Sequence, residues 1–313
     1  MKTDDKAVEM SNIPVAGPGV SYFRTLGFLL ACALPFFLAW DLMRVLASLV
    51  GDDTFSQVPL IPLVSLFLIY SNRAAILDKI SVGWALGAAL IVPGIVCLEL
   101  ARRNVWQLEM TNQMSLLVLG MVLFWMGSFA LVFGVHAFRA ACFPLLFLLF
   151  TIPIPEPLLS NLTSDLQKGS AGAAEMFFRI GGIPNLRQGL EFSLPGVRIR
   201  VAEECSGIRS TLALLITTVL ACHLFLRRAW KRALLCVVVV PIAIIKNGLR
   251  ISALSALAIY VDPGFLYGNL HHYGGIVFFV FALAPMALLL LLLQRGETPG
   301  APMANVSRPG YSQ

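Results

Sequence analysis

The sequence predicts an all-α polytopic membrane protein with about eight transmembrane helices and a small external loop region that carries a β-hairpin. Three observations lead there. Of 313 residues, 58% are hydrophobic and only 13% charged, against about 25% charged in soluble domains. Several apolar runs approach or exceed the ~18 residues needed to cross a bilayer. Lys and Arg gather in short segments between those runs, most clearly in RRAWKR, residues 227–232, as cytoplasmic loops do. The net charge of +6 is then a topology signal and no nucleic-acid footprint.

Taken in order, residues 1–24 read as a polar cytoplasmic tail. MKTDDKAVEMSNIPVAGPG has no secretory-signal pattern, and the apolar run behind it continues to Val50, so it reads as a retained span. Residues 25–293 form one transmembrane domain, with spans expected at 25–49, 58–71, 81–100, 114–136, 140–155, 207–226, 233–256 and 274–293. The two short ones have Pro59, Pro62, Pro144 and Pro153 near their ends, which tilts or breaks them. Residues 294–313, rich in Pro and Gly, read as a disordered cytoplasmic tail. With RRAWKR inside, alternation puts both termini in the cytoplasm, as expected for a multi-pass plasma-membrane protein.

The same alternation puts residues 156–206 outside. Their first part, LTSDLQKGSAGAAEMFFRIGG, has Leu162, Leu166, Ala173, Phe177 and Ile180 on roughly one helix face. The second part alternates: Leu190/Phe192/Leu194 and Val197/Ile199/Val201 read as two strands around the turn dipeptide Pro195-Gly196.

Five of the six cysteines, Cys32, Cys97, Cys142, Cys222 and Cys236, lie in or beside apolar runs and read as small buried hydrophobes. No CxxC pair suggests a metal, and no cofactor is expected. Cys205, in VAEECSGIRS, differs. It precedes a span that must run inward to reach RRAWKR, so it stands at an external helix N-terminus, where backbone N–H groups favour a thiolate. Arg209 lies one turn further on. The next span, ALLCVVVVPIAIIKNGLRISALSA, places Arg250 about 17 residues from its cytoplasmic start, roughly 26 Å at helical rise. Lys246 and Asn247 lie one turn deeper. His271 and His272 precede the last span. Ionisable groups inside a bilayer carry a functional expectation, and here basic-loop topology brings cysteine, arginine and histidine to one surface.

Those three types suit acyl transfer. A thiolate attacks a peptide carbonyl, a histidine supplies a proton to the leaving amine, and an arginine stabilises the developing oxyanion. The plainer readings are an inert interfacial cysteine, a snorkelling arginine and interfacial histidines.

VAEECSGIRS, PIAIIKNGLRI and LHHYGGIVFF, in that order and each at a helix end, resemble the exosortase/archaeosortase family of membrane transpeptidases. FPLLFLLFTIPIPEPLLSNLTSDLQ, GGIPNLRQGLEFSLPG and SQVPLIPLVSLFLIYSNR extend the resemblance to roughly residues 40–285, although Gln57 or a neighbour stands where the family often has His-Gly. The resemblance implies a cysteine-type peptidase that cleaves the C-terminal sorting signal of exported proteins, a short motif, a transmembrane helix and a basic tail. A thioester would form and be resolved on a surface acceptor. Carried over by motif, Cys205 is the nucleophile, Arg250 the transition-state stabiliser and His271 the acid/base. Arg209, Asn247, His272 and Lys246 are supporting or alternative residues. The competing reading is a multispan transporter or lipid-handling protein that binds an anionic substrate at Lys246/Arg250. Such a protein often shows repeat symmetry, whereas the polar groups here gather in the C-terminal half. A third reading is a non-catalytic scaffold, in which Cys205 is dispensable. Membrane lipid is the expected surrounding in all three.

Overall fold

Apolar residues without helix breakers form helices in lipid, because each backbone N–H and C=O must find its partner within the segment. The computed structural model describes residues 18–38, 40, 60–77, 81–104, 106–202, 206–266 and 269–295, and they are mainly helical. The chain divides into two compact units, Met1–Pro155 and Glu156–Gln313.

The first unit contains α1 (Pro18–Leu38), α2 (Leu60–Ser71), α3 (Arg73–Leu77), α4 (Trp84–Arg103), α5 (Met110–Ala140), α6 (Cys142–Phe147) and a 3-10 turn, Leu148–Thr151. Asn104 ends α4 in the left-handed conformation, with its N–H on the Leu100 carbonyl. The α4–α5 pair approaches through two glycine pairs seven residues apart. A Cβ on Gly87 would lie 3.1 Å from the Gly127 carbonyl oxygen, and one on Gly94 would lie 3.0 Å from that of Gly120. Small residues allow such close contact where lipid supplies no hydrophobic drive. Gly134, at φ 89°, kinks α5 beside Ser81. Phe28 of α1 packs edge-on against Phe129 and Phe133, each at 5.6 Å.

The second unit contains α7 (Glu156–Ile180), strands β1 (Leu186–Gln188), β2 (Glu191–Leu194) and β3 (Val197–Arg200), then α8 (Ile208–Phe225), α9 (Ala229–Tyr260), a 3-10 turn at Pro263–Leu266 and α10 (Asn269–Gln294). The expected hairpin is present, with Phe192 opposite Ile199 and Leu194 opposite Val197. It belongs to a three-stranded antiparallel sheet, because β1 adds to β2 through Leu186–Ser193, Arg187–Phe192 and Gln188–Glu191. Too short to show alternation, β1 was not legible as a strand. Phe192, fully buried, meets Phe178 of α7 edge-on at 5.4 Å, which seats the sheet on the helix.

The expected spans fare differently. Among the described residues, five helices are long and apolar enough to cross a membrane, or six if Cys142–Thr151 and Glu156–Ile180 count as one broken span, so the expected count of eight is not confirmed. The expected span 25–49 runs into residues outside the described set, and its described apolar part is Leu26–Phe37. The helix within 58–71 has 12 residues, and 140–155 breaks into a short helix and a 3-10 turn ahead of Pro153 and Pro155. The expected tails, 1–24 and 294–313, lie largely outside the described residues.

Helix α7 is present, but its buried stripe is Thr163, Leu166, Gln167, Ser170, Ala171, Ala174 and Phe178. Leu162 and Ile180 are exposed. The face turned to α9 is chosen for small size: a Cβ on Gly248 would fall 2.5 Å from the Cβ of Ala173. Of the five cysteines read as buried, Cys222 is; Cys142 is exposed and Cys32, Cys97 and Cys236 are intermediate.

The basic segment 227–232 turns partly inward. Arg232 Nε donates to the Leu226 carbonyl at 2.8 Å, and Lys231 Nζ, in a buried residue, donates to the carbonyl of Leu293. Both cations thus cap carbonyls at the C-terminal ends of α8 and α10, where the helix dipole favours positive charge.

Candidate active site

Helix α8 opens on Gly207, whose φ of +77° is left-handed, a conformation glycine adopts without Cβ strain. Ser206, buried, accepts the Ile208 N–H on its Oγ at 3.3 Å. The Gly207 carbonyl accepts three bonds: Thr211 N–H at 2.9 Å, Thr211 Oγ1 at 2.8 Å and Ser210 Oγ at 3.0 Å. The first turn of α8 is therefore held tightly from within.

Helix α9 holds it from outside. Gly207 lies against the Asn247 side chain so closely that a Cβ would stand 2.9 Å from Asn247 Cγ. Asn247, 1% exposed, donates through Nδ2 to Ser170 Oγ of α7 at 3.0 Å. Lys246, 7% exposed, donates through Nζ to Ser210 Oγ. Gly248, next along α9, makes the close approach to Ala173 and Ala174. Three consecutive residues of α9 thus join α7, α9 and the start of α8 at one level.

The other flank of the Cys205 segment is fixed as well. Val201, buried, donates its N–H to the Leu190 carbonyl at 3.0 Å and accepts Gln167 Nε2 on its own carbonyl at 3.0 Å. Glu203, Glu204 and Cys205 lie outside the described residues. The described chain on either side, Val201 and Ser206-Gly207, is anchored to α7 and α9.

A family model decides what this arrangement belongs to: that of the transmembrane exosortases, Exosortase_EpsH, matches residues 48–288. The chain belongs to the transmembrane exosortase family. No curated protein and no solved structure matches it with significance.

In this exosortase the sequence-predicted residues are placed unevenly. Arg250, half-buried, follows Asn247 by three residues on α9 and so shares its face. The helix ends later than expected: nothing breaks it before Asp262-Pro263, and it runs to Tyr260. Arg250 therefore stands ten residues, about 15 Å, short of the helix end. Arg209 is exposed on the first turn of α8, while the next residue, Ser210, faces Lys246. His271 and His272 belong to the first turn of α10, which starts at Asn269, five residues before the expected span. Their side chains lie outside the described set.

Sequence reasoning missed Ser170, Gln167, Gly207 and Ser210 as parts of the site's frame. A signal existed for the first two: Thr163, Gln167 and Ser170 recur at helical spacing on one face of α7, a polar stripe that only a polar partner justifies burying.

Proposed function

We propose that this exosortase is a cysteine peptidase and transpeptidase that cleaves the C-terminal sorting signal of exported proteins and transfers them to a surface acceptor. Its site would be built from Cys205, Arg250 and His271 on the external face of the inner membrane. The carrying observation is the seating of Gly207, two residues after Cys205, directly on Asn247, one helical turn before Arg250.

The pairing of α9 with α10 gives further support. Leu235 and Val239 share a buried cluster with Ala282 and Met286, and Lys231 bonds the Leu293 carbonyl. Continued along both helices at equal rise, this antiparallel register sets Arg250 level with about residues 271–274. The first turns of α10 carry His271 and His272.

The chemistry follows. The Cys205 thiolate attacks the scissile carbonyl, and its electron pair forms the C–S bond as the carbonyl oxygen becomes an oxyanion. Arg250 offers N–H donors to that charge. The C–N bond breaks as the leaving amine takes a proton from the histidine. A thioester remains. An acceptor amine or water then attacks it, returning a proton to the histidine and the sulfur to its thiolate. Lys246 and Asn247 act by holding the first turn of α8, and His272 is the alternative acid/base. Lys246 donating to Ser210 Oγ gives the anion-transport reading no support.

The test is co-expression with a protein from the same organism whose C-terminus carries a short motif, an apolar stretch and an Arg cluster. Wild type is expected to shorten it, as read by mass, and Cys205→Ala to leave it intact. Equal processing by both removes Cys205 from the reaction.

A further inference from the structure

The β1-β2-β3 order makes β3 an edge strand, and its register decides which backbone groups it presents outward. Val201, opposite Leu190, donates to the carbonyl of that residue. Antiparallel pairs alternate between bonded and non-bonded, so Ile199–Phe192 and Val197–Leu194 are the bonded pairs. The two-residue turn Pro195-Gly196, with Gly196 at φ +77°, closes on a bonded pair in the same way. Arg198 and Arg200 are therefore the residues whose N–H and C=O point away from β2. Both are exposed, and among the described residues no further strand pairs with that edge.

This edge leads into the nucleophile. Arg200 and Cys205 are five positions apart, at most about 18 Å of extended chain. Val201 between them is fixed to Leu190 and to Gln167 of α7. An extended peptide lying along β3 covers the same distance in about five residues. We propose that the outward edge of β3 binds the sorting segment of the exported substrate as an added antiparallel or parallel strand, so that backbone pairing with Arg198 and Arg200 delivers the scissile bond to Cys205. This rests on the function proposed above.

The occupant follows from continuity and from chemistry. Unpaired strand edges attract extended chains. A peptidase must hold its substrate extended for the thiolate to reach one carbonyl, and this edge adjoins the cysteine directly in the chain. Main-chain pairing also leaves side-chain specificity to alternate positions of the bound segment.

Proline isolates the backbone contribution. Edge strands tolerate it where its missing N–H faces outward, so Arg200→Pro and Arg198→Pro remove one outward donor each and spare the ladder to β2. Arg200→Ala and Arg198→Ala remove the side chains alone. With the co-expressed substrate, the alanine variants are expected to process within about twofold of wild type. Each proline variant should fall by about tenfold, the worth of one hydrogen bond kept in the transition state, with an unchanged melting temperature in detergent.

A proline scan of the five substrate residues before the cleavage site provides an arm that does not depend on enzyme folding. Blockage is expected at every second position. Tolerance at all five positions, or blockage without alternation, overturns the proposal. So does equal loss in the alanine and proline variants, which assigns the effect to the guanidinium. If the proline variants process normally while Cys205→Ala is inactive, strand addition fails and the peptidase reading stands. Processing by Cys205→Ala removes both.

Discussion

Replacing Gly207 by alanine tests whether the Cys205 segment is positioned by its contact with α9. Two costs arise. The residue sits at φ +77°, which for an L-residue costs roughly 1–2 kcal/mol. The new Cβ would also stand 2.9 Å from Asn247 Cγ and 3.0 Å from its Oδ1. Asn247 cannot retreat freely: it is 1% exposed and bonded to Ser170. Overpacking of this kind costs about 1–3 kcal/mol or displaces the backbone.

Gly182 supplies the control. At φ +68° it pays a similar conformational cost, but nothing lies within 4 Å of its Cβ position. Gly182→Ala should therefore lose roughly 1–2 kcal/mol of stability and keep processing near the wild-type rate. Gly207→Ala should lose about twice as much stability and process at least about a hundredfold more slowly, because a shift of about 1 Å in a reacting group costs that much. Melting in detergent reads the first quantity and the rate of substrate shortening the second. If Gly207→Ala processes as fast as Gly182→Ala, the Gly207–Asn247 contact does not position the Cys205 segment for the proposed reaction.

Three further outcomes are expected. Gly248→Leu forces α9 away from Ala173 and Ala174 and should lower the melting temperature by the equivalent of about 1–3 kcal/mol or more. Gly172→Ala, whose Cβ would meet only Arg187 Nη1 at 3.7 Å, should be neutral or stabilising by about 0.5–1 kcal/mol in the same melts. Lys246→Met keeps volume but removes the donor to Ser210; processing should fall by about tenfold, one hydrogen bond's worth, while the thermal melt of the purified protein stays close to wild type.

Apolar runs, basic segments and three ordered motifs were enough to read a helical membrane protein and its family, because both depend on local composition and short-range order. The β2–β3 hairpin was legible for the same reason: strict alternation around Pro195-Gly196 is a local signal. The failures share a different cause. Span boundaries moved where no breaker stood, so α9 ran on to Tyr260, and the apolar segments 58–71 and 140–155 could not reveal that their described helices are short or broken. The buried face of α7 was misjudged because hydrophobicity ranks Leu162 and Ile180 above Ser170 and Ala174. The packing partner instead selects for close approach.

The sequence by itself determined that this chain lives in a membrane, that it is an exosortase, and which cysteine, arginine and histidines are its chemical candidates. Those conclusions need only residue types and their order. Tertiary structure alone decided that Asn247 and Lys246 clasp the first turn of α8 and that Gly207 and Gly248 are contact points. It likewise decided that β3 offers an outward edge five residues before Cys205. Such contacts join positions up to 77 residues apart, and no local pattern encodes a distance between atoms that meet only when helices pack.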